Sequence, residues 1–226
     1  MSELPGGRMA YRPVHFFWLL DCSFSMSING KMGELNFAVQ EAIPEMRQAA
    51  SENASAQLLV RVITFSTGAQ WHVRIPTPVE QFEWSEVTSD GVTDLGAALR
   101  MAARELQTPP MPERAMQPVL ALVSDGLPTD DWRSGLNAID NTPWGPKAIR
   151  VAVSIGRDAD KAMLKEFLAN PELEPLQADN PTQLARAIRW TSTVAVRAAS
   201  TPAAGGISAL PAPPPPAGDD DDSVIW

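Results

Sequence analysis

The chain has 226 residues, 44% of them hydrophobic and 20% charged, with 18 Lys plus Arg against 27 Asp plus Glu and a net charge of −9. That length suits one ordinary domain with something attached. The acidic balance leaves little with which to neutralise phosphates, which argues against nucleic acid and anionic membrane surfaces as partners. A single cysteine, Cys22, rules out an intramolecular disulfide or a thiolate metal cluster and points to a reducing compartment. The apolar run Phe16 to Leu20 is far shorter than the roughly 20 residues of a membrane span, and nothing before it resembles a secretory signal. The expected location is cytoplasmic.

In chain order, residues 1–13 read as an N-terminal extension. The unbroken apolar run from Val14 to Leu20, stopped by Asp21 and a polar cluster, predicts a strand buried on both faces. Leu35, Val39, Ile43 and Met46 have helical spacing within Gly33 to Ser51, with Pro44 as a point of kinking. Leu58 to Phe65 predicts a second buried strand. Ala69 to Ile75 alternates Trp71, Val73 and Ile75, and together the two predict an antiparallel edge hairpin. Leu95 to Leu106 predicts a helix ended by Pro109 and Pro110, and Val119 to Val123 a third buried strand.

Thr129, Asp130 and Asp131 offer N-cap chemistry to a helix through Ile139. Ile149 to Ile155 reads as a strand, Asp160 to Leu168 as a helix, Leu173 to Leu176 as a short last strand, and Pro181 to about Val196 as the final helix. Strands alternating with helices predict an α/β fold: a doubly wound, mostly parallel sheet with one antiparallel edge strand, over residues 14–198. Residues 199–226 change to Ala, Gly and Pro, then Asp219, Asp220, Asp221 and Asp222, then Ser223, Val224, Ile225 and Trp226. Such a composition predicts a disordered or extended tail with a hydrophobic tip. Without those four acids, 18 basic residues face 23 acidic ones, so the domain itself is only mildly acidic.

Ligands of open α/β sheets collect at the C-terminal ends of the strands. Three predicted exits there carry oxygen ligands: Asp21, Ser23 and Ser25 after the first strand, Thr93 and Asp94 before the Ala-rich helix, and Ser124 and Asp125 after the third buried strand. Carboxylates with neutral hydroxyls, and no Cys or His pair nearby, describe a hard-cation site for Mg2+ or Mn2+. Ca2+ ranks behind them.

The Asp-x-Ser-x-Ser spacing of Asp21, Ser23 and Ser25, followed by Thr93 and by Asp125 in a Ser-Asp-Gly turn, resembles the metal-ion-dependent adhesion site (MIDAS) of von Willebrand factor type A (VWA) domains. More narrowly, Gly91 to Leu99 and Asp125 to Trp132 resemble the bacterial TerY-like branch associated with tellurium resistance and stress operons. The resemblance implies a Rossmann-like VWA fold. It also implies a metal touched by the hydroxyls of Ser23, Ser25 and Thr93, with Asp21 and Asp125 bound directly or through water. Phe24 stands where many members have Gly, and an aromatic beside the metal suits a contact surface. The resemblance further implies a protein partner with an acidic side chain, with a protein kinase and a metal-dependent Ser/Thr phosphatase as the expected partners.

Other residues carry weaker signals. Asp94 reads foremost as a helix cap and Cys22 as a small buried filler. His15 and His72 lack a second His at ligand spacing, and Trp132 and Trp144 read as packing residues, with Trp132 also a candidate for the binding rim. A haloacid-dehalogenase-like phosphotransferase would need an acid where Ser23 stands. Phosphate-binding glycine loops are absent, so a catalytic role is not expected. The tail supplies a second reading: Asp219 to Asp222 could occupy the metal site of the same or a neighbouring molecule, giving self-association in the latter case. Alternatively Val224, Ile225 and Trp226 could dock on a partner.

Overall fold

The long apolar runs become central strands because both of their faces are covered. The computed structural model describes residues 11–156 and 159–200. Within them, β1 (Arg12–Asp21), a 3-10 segment (Phe24–Gly30), α1 (Lys31–Ser51), β2 (Ala56–Ser66) and β3 (Gly68–Pro78) lead to α2 (Leu95–Glu105). There follow β4 (Val119–Ser124), α3 (Trp132–Asp140), a 3-10 turn (Gly145–Lys147), β5 (Ile149–Ile155), α4 (Lys161–Leu168), β6 (Leu176–Ala178) and α5 (Pro181–Ser200).

The six strands form one sheet in the order β3-β2-β1-β4-β5-β6. Every pairing is parallel except the β2–β3 hairpin at the edge. Alternate residues of β1 feed two cores. Phe16, Trp18 and Leu20 pack with α1 and α5, whereas Phe17 and Leu19 pack with α2, α3 and α4. The architecture is therefore a mostly parallel sheet between two helical layers, as the alternating pattern predicts.

Several boundaries move. Pro44 lies inside α1 without ending it, and α1 begins at Lys31, two residues before the expected start. The last strand is Leu176–Ala178 rather than 173–176, because Leu176 pairs with Val153 of β5 while Leu173 packs against the α2–α4 core. α5 continues to Ser200, and Ala199 is buried in the α1–α5 core. Arg197 near its end makes a two-pronged pair with Glu52, at 2.7 Å for each bond, just beyond the end of α1. α5 therefore ends at the N-terminal edge of the sheet. The expected contacts from Asp219, Asp220, Asp221, Asp222 and Trp226 lie outside the described residues. Among those described, no helix is long and apolar enough to cross a membrane.

Candidate metal centre

The strand order reverses between β1 and β4, where the chain leaves β1 for β2 on one side and β4 continues to β5 on the other. Such a switch point opens a crevice at the strand ends. Asp21 closes β1 and is fully buried. Its Oδ1 accepts the Ser23 N–H at 2.9 Å, and its Oδ2 accepts the Ser124 hydroxyl at 2.6 Å, across the switch point. Ser23 Oγ and Ser25 Oγ share a hydrogen bond of 2.9 Å, and Ser25 Oγ donates to Asp125 Oδ1 at 2.7 Å. A hydroxyl chain thus links the carboxylate-bearing ends of two strands.

Thr93 arrives from the long connection after β3, which has no regular structure before α2. Side chains of α1 pin that connection. Asn36 accepts from Val87 N–H and Trp84 Nε1 and donates to Val87 C=O, while Arg47 donates to Val79 C=O and Phe82 C=O. At its end, Phe24 N–H donates to Gly91 C=O and Asp90 N–H to Cys22 C=O, which ties the segment to the β1 exit. Gly91 has φ +76°, and a Cβ there would stand 2.4 Å from Thr67 Oγ1, so a larger residue would be strained and would have to push the Thr67 side chain aside. Thr93 is buried, and its backbone exchanges two hydrogen bonds with Thr129. A Cβ built on Gly126 would lie 3.6 Å from Thr93 Oγ1 and 3.7 Å from Ser25 Oγ. The structure thus brings Asp21, Ser23, Ser25, Thr93 and Asp125 to one crevice.

The electrostatics of the crevice are demanding. Burial pushes the Asp21 carboxyl up to about 6, the nearby Asp125 charge adds to that, and hydrogen bonds from Ser124 and Ser23 oppose it. Lys31, the first residue of α1, places Nζ 2.8 Å from Asp125 Oδ2. Sequence reasoning passed over Lys31, since its partner lies 94 positions away and its own helix gives no hint of it. Among the described residues, no group of three or more His, Cys, Asp or Glu side chains comes together to hold a metal. Any cation in this crevice must therefore use the hydroxyls. Two carboxylates and three hydroxyls are hard oxygen donors suited to a divalent cation such as Mg2+ or Mn2+, so the residues present fit the metal that the motif implies.

The remaining candidates separate by position. Phe24 is 63% exposed, and Ile28, Val92 and Leu127 are exposed in the loops next to the candidate ligands. Asp94 is neither a side-chain cap nor a free rim acid. Its Oδ2 accepts the Gly68 N–H and its Oδ1 the Thr129 hydroxyl, both at 2.8 Å, so it clamps three loops around Thr93. The capping of α2 falls instead to Asp130, whose carboxylate accepts Gly96 N–H and Ala97 N–H from a different loop. Of the three expected caps of α3, Asp131 alone fills that role, through Ser134 N–H. Trp132 is buried in the α2–α4 core, with the Arg133 guanidinium 4.4 Å from its ring centre, and is not part of the rim. Cys22 is buried, and desolvation followed by the Asp21 charge pushes its thiol up to about 12, which makes it inert packing. His15 and Trp144 are buried as well, while His72 shares a hydrogen bond with Ser85.

No protein-family model matches the chain, and no curated protein sequence does. Solved structures match its shape. A von Willebrand factor type A protein from Catenulispora acidiphila aligns over 82% of this chain and 43% of its own, with a TM-score of 0.62 and 17% identity. The pilus adhesin SpaC from Lactobacillus rhamnosus GG aligns over 82% of this chain and 31% of its own, with a TM-score of 0.64 and 14% identity. Proximal thread matrix protein 1 from the mussel byssus, solved with zinc in its MIDAS motif, aligns over 83% and 49%, with a TM-score of 0.61 and 13% identity. The chain spans less than half the length of each of these proteins. On its sheet order, its layers and these matches, the described domain has the fold of von Willebrand factor type A domains.

Proposed function

We propose that this chain is a metal-dependent protein-binding module, and that the metal is held by Asp21, Ser23, Ser25, Thr93 and Asp125. The observation that carries the reading is the hydrogen-bonded run Asp21–Ser23–Ser25–Asp125, which joins two buried carboxylates at the switch point through the Ser23 N–H and the Ser23 and Ser25 hydroxyls. Mg2+ or Mn2+ there would supply a Lewis acid. Two carboxylates only neutralise a divalent cation and hydroxyls donate weakly, so a carboxylate from outside suits the remaining position. The chain's own part is to fix the donors and to surround them with Phe24, Ile28, Val92 and Leu127. The preferred partner therefore carries an acidic side chain flanked by apolar ones.

Among the described residues no third acid or histidine joins the two carboxylates, and the reading is one of binding. The resemblance of residues 91–99 and 125–132 to TerY-like proteins extends the reading to a cytoplasmic adaptor in a bacterial kinase and phosphatase system linked to tellurite or other stress. The test is binding of the purified chain to a protein kinase and to a metal-dependent Ser/Thr phosphatase of such a system, in Mg2+ and in EDTA. Binding that needs Mg2+ and disappears with Thr93→Ala is expected; binding unchanged by EDTA sinks the metal reading.

The exposed apolar rim favours one second reading, in which the acidic tail with its Val-Ile-Trp tip occupies this site. α5 ends at the opposite edge of the sheet, and residues 201–218, if extended, reach about 55 Å. Ten residues of β1 span only about 33 Å. Truncation after Ser200, which preserves buried Ala199, tests it. Tighter partner binding marks an autoinhibitory tail, weaker binding a docking tail, and unchanged binding overturns the reading.

A further inference from the structure

Lys31 has no place in the metal-binding pattern, yet its ammonium reaches one of the two buried carboxylates. The Lys31 side chain is 13% exposed and that of Asp125 is 0% exposed, so the contact is an ion pair largely screened from water. Its position is poor for a lysine on local grounds, because the N-terminus of a helix carries partial positive charge and disfavours cations. The backbone there is nonetheless firmly set: Lys31 N–H donates to Ile28 C=O and Met26 C=O, after Asn29 and Gly30 turn the chain through positive φ. A tertiary contact therefore accounts for the lysine where the helix does not.

Asp125 has both oxygens engaged within the protein, Oδ1 by Ser25 and Oδ2 by Lys31. A cation that takes this carboxylate competes with those donors for its lone pairs, and it repels the ammonium beside it. We propose that Lys31 is a tethered counter-ion of the metal centre: its ammonium occupies Asp125 until a divalent cation binds and then yields the carboxylate. The inference rests on the metal reading above. Three consequences follow from charge alone. The metal-free domain avoids an unpaired buried carboxylate, which would otherwise cost stability. Metal binds more weakly than it would to the same donors without the lysine, so the chain sets its own metal threshold. Once metal is bound, two carboxylates face a divalent cation and a lysine, and the net charge of +1 at the site favours an acidic partner.

The experiment uses the full chain with Mn2+ or Mg2+ alone as the probe. Lys31→Met keeps the apolar stem and removes the charge, and Lys31→Arg keeps the charge. Calorimetric titration should show Lys31→Met binding Mn2+ about tenfold or more tightly than wild type, with a lower melting temperature in EDTA and a larger rise on adding metal. Lys31→Arg should stay close to wild type in both. Equal Mn2+ affinity in wild type and Lys31→Met, or weaker binding by the variant, overturns the counter-ion. Absence of Mn2+ binding in both overturns the metal reading, and the counter-ion with it. Should Lys31→Met fail to fold, amine acylation of the wild-type chain decides the matter: Mg2+ should accelerate modification of Lys31 several-fold, and an unchanged rate overturns the proposal.

Discussion

The two edges of the sheet handle buried charge in opposite ways. Toward the N-terminal ends of the strands, arginines projecting from strands meet acids at the ends of helices. Arg61 of β2 pairs with Glu105 of α2, and Arg150 of β5 pairs with Asp140 of α3. Arg150 also donates to the backbone carbonyls of Phe167 and Gly145. At the C-terminal edge lie two carboxylates and one lysine, which pairs with Asp125, while Asp21 is held by Ser124 and Ser23. One edge is electrically complete within the chain. The other is short of positive charge, which is the condition under which an external cation gains most from entering.

The sharpest way to break this contrast is to remove charge from the incomplete edge. Asp21→Asn keeps a hydrogen-bond acceptor for Ser23 or Ser124, and should abolish both the Mg2+-linked rise in melting temperature and Mg2+-dependent partner binding. A full metal response in that variant would show that the metal sits elsewhere.

Next in size is a pH effect on metal-free protein. Burial first, and then the charge of Arg61, lowers His15 from 6.5 to about 4. A histidine depressed in this way contributes stability above pH 6.5, and that contribution disappears as the pH falls toward 4, because the unfolded chain takes the proton first. The shift corresponds to about 3 kcal/mol. Asp21, raised to about 6, works in the other direction: the folded metal-free chain gains stability as the pH falls from about 6 to about 4. The two effects nearly cancel in the wild type. In an Asp21→Asn background, stability by chemical denaturation should therefore fall over that range, and adding His15→Leu should remove about 3 kcal/mol of the decline. Parallel pH profiles for the single and double variants would exclude His15 as the cause.

A smaller loss is expected at the complete edge. Arg150→Met leaves Asp140 half-exposed and able to find water, but strips the donor from two backbone carbonyls, at about 2 kcal/mol in urea denaturation. Metal response should survive; its loss would mean the edges are coupled. Smallest of all, Phe24→Ser or Leu127→Ser should each weaken the partner complex by about 1 kcal/mol and leave Mn2+ affinity as it was. Calorimetry on both ligands separates a contact role from a structural one.

The contrast also explains what the amino-acid order could reveal. Strands buried on both faces announce themselves by unbroken apolar runs such as Phe16 to Leu20 and Val119 to Val123, and these appear where expected. The spaced oxygen donors were legible for a related reason: each lies at or just beyond the end of a strand or shortly before a helix, so short-range pattern places it at a known edge. Lys31 and the cross-loop roles of Asp94, Thr129 and Asp130 were not, because their partners lie between 26 and 94 positions away. Local capping rules assign Asp94 to α2 and Asp130 to α3. Tertiary geometry gives α2 to Asp130 and turns Asp94 to the loops, while Gly96 and Gly135 let the two helices approach to where a Cβ on Gly135 would lie 2.8 Å from Gly96 O.

That borrowed cap makes the loop after Asp125 and the first turn of α2 a single mechanical part. A displacement of residues 125–131 large enough to admit a bulky partner would have to withdraw the Asp130 carboxylate from Gly96 and Ala97, leaving two helix donors without their acceptor. Amide exchange at Gly96 and Ala97 is thus a remote gauge of occupancy at the crevice. For anyone transplanting this crevice to another scaffold, the loop and α2 are the smallest unit that travels intact.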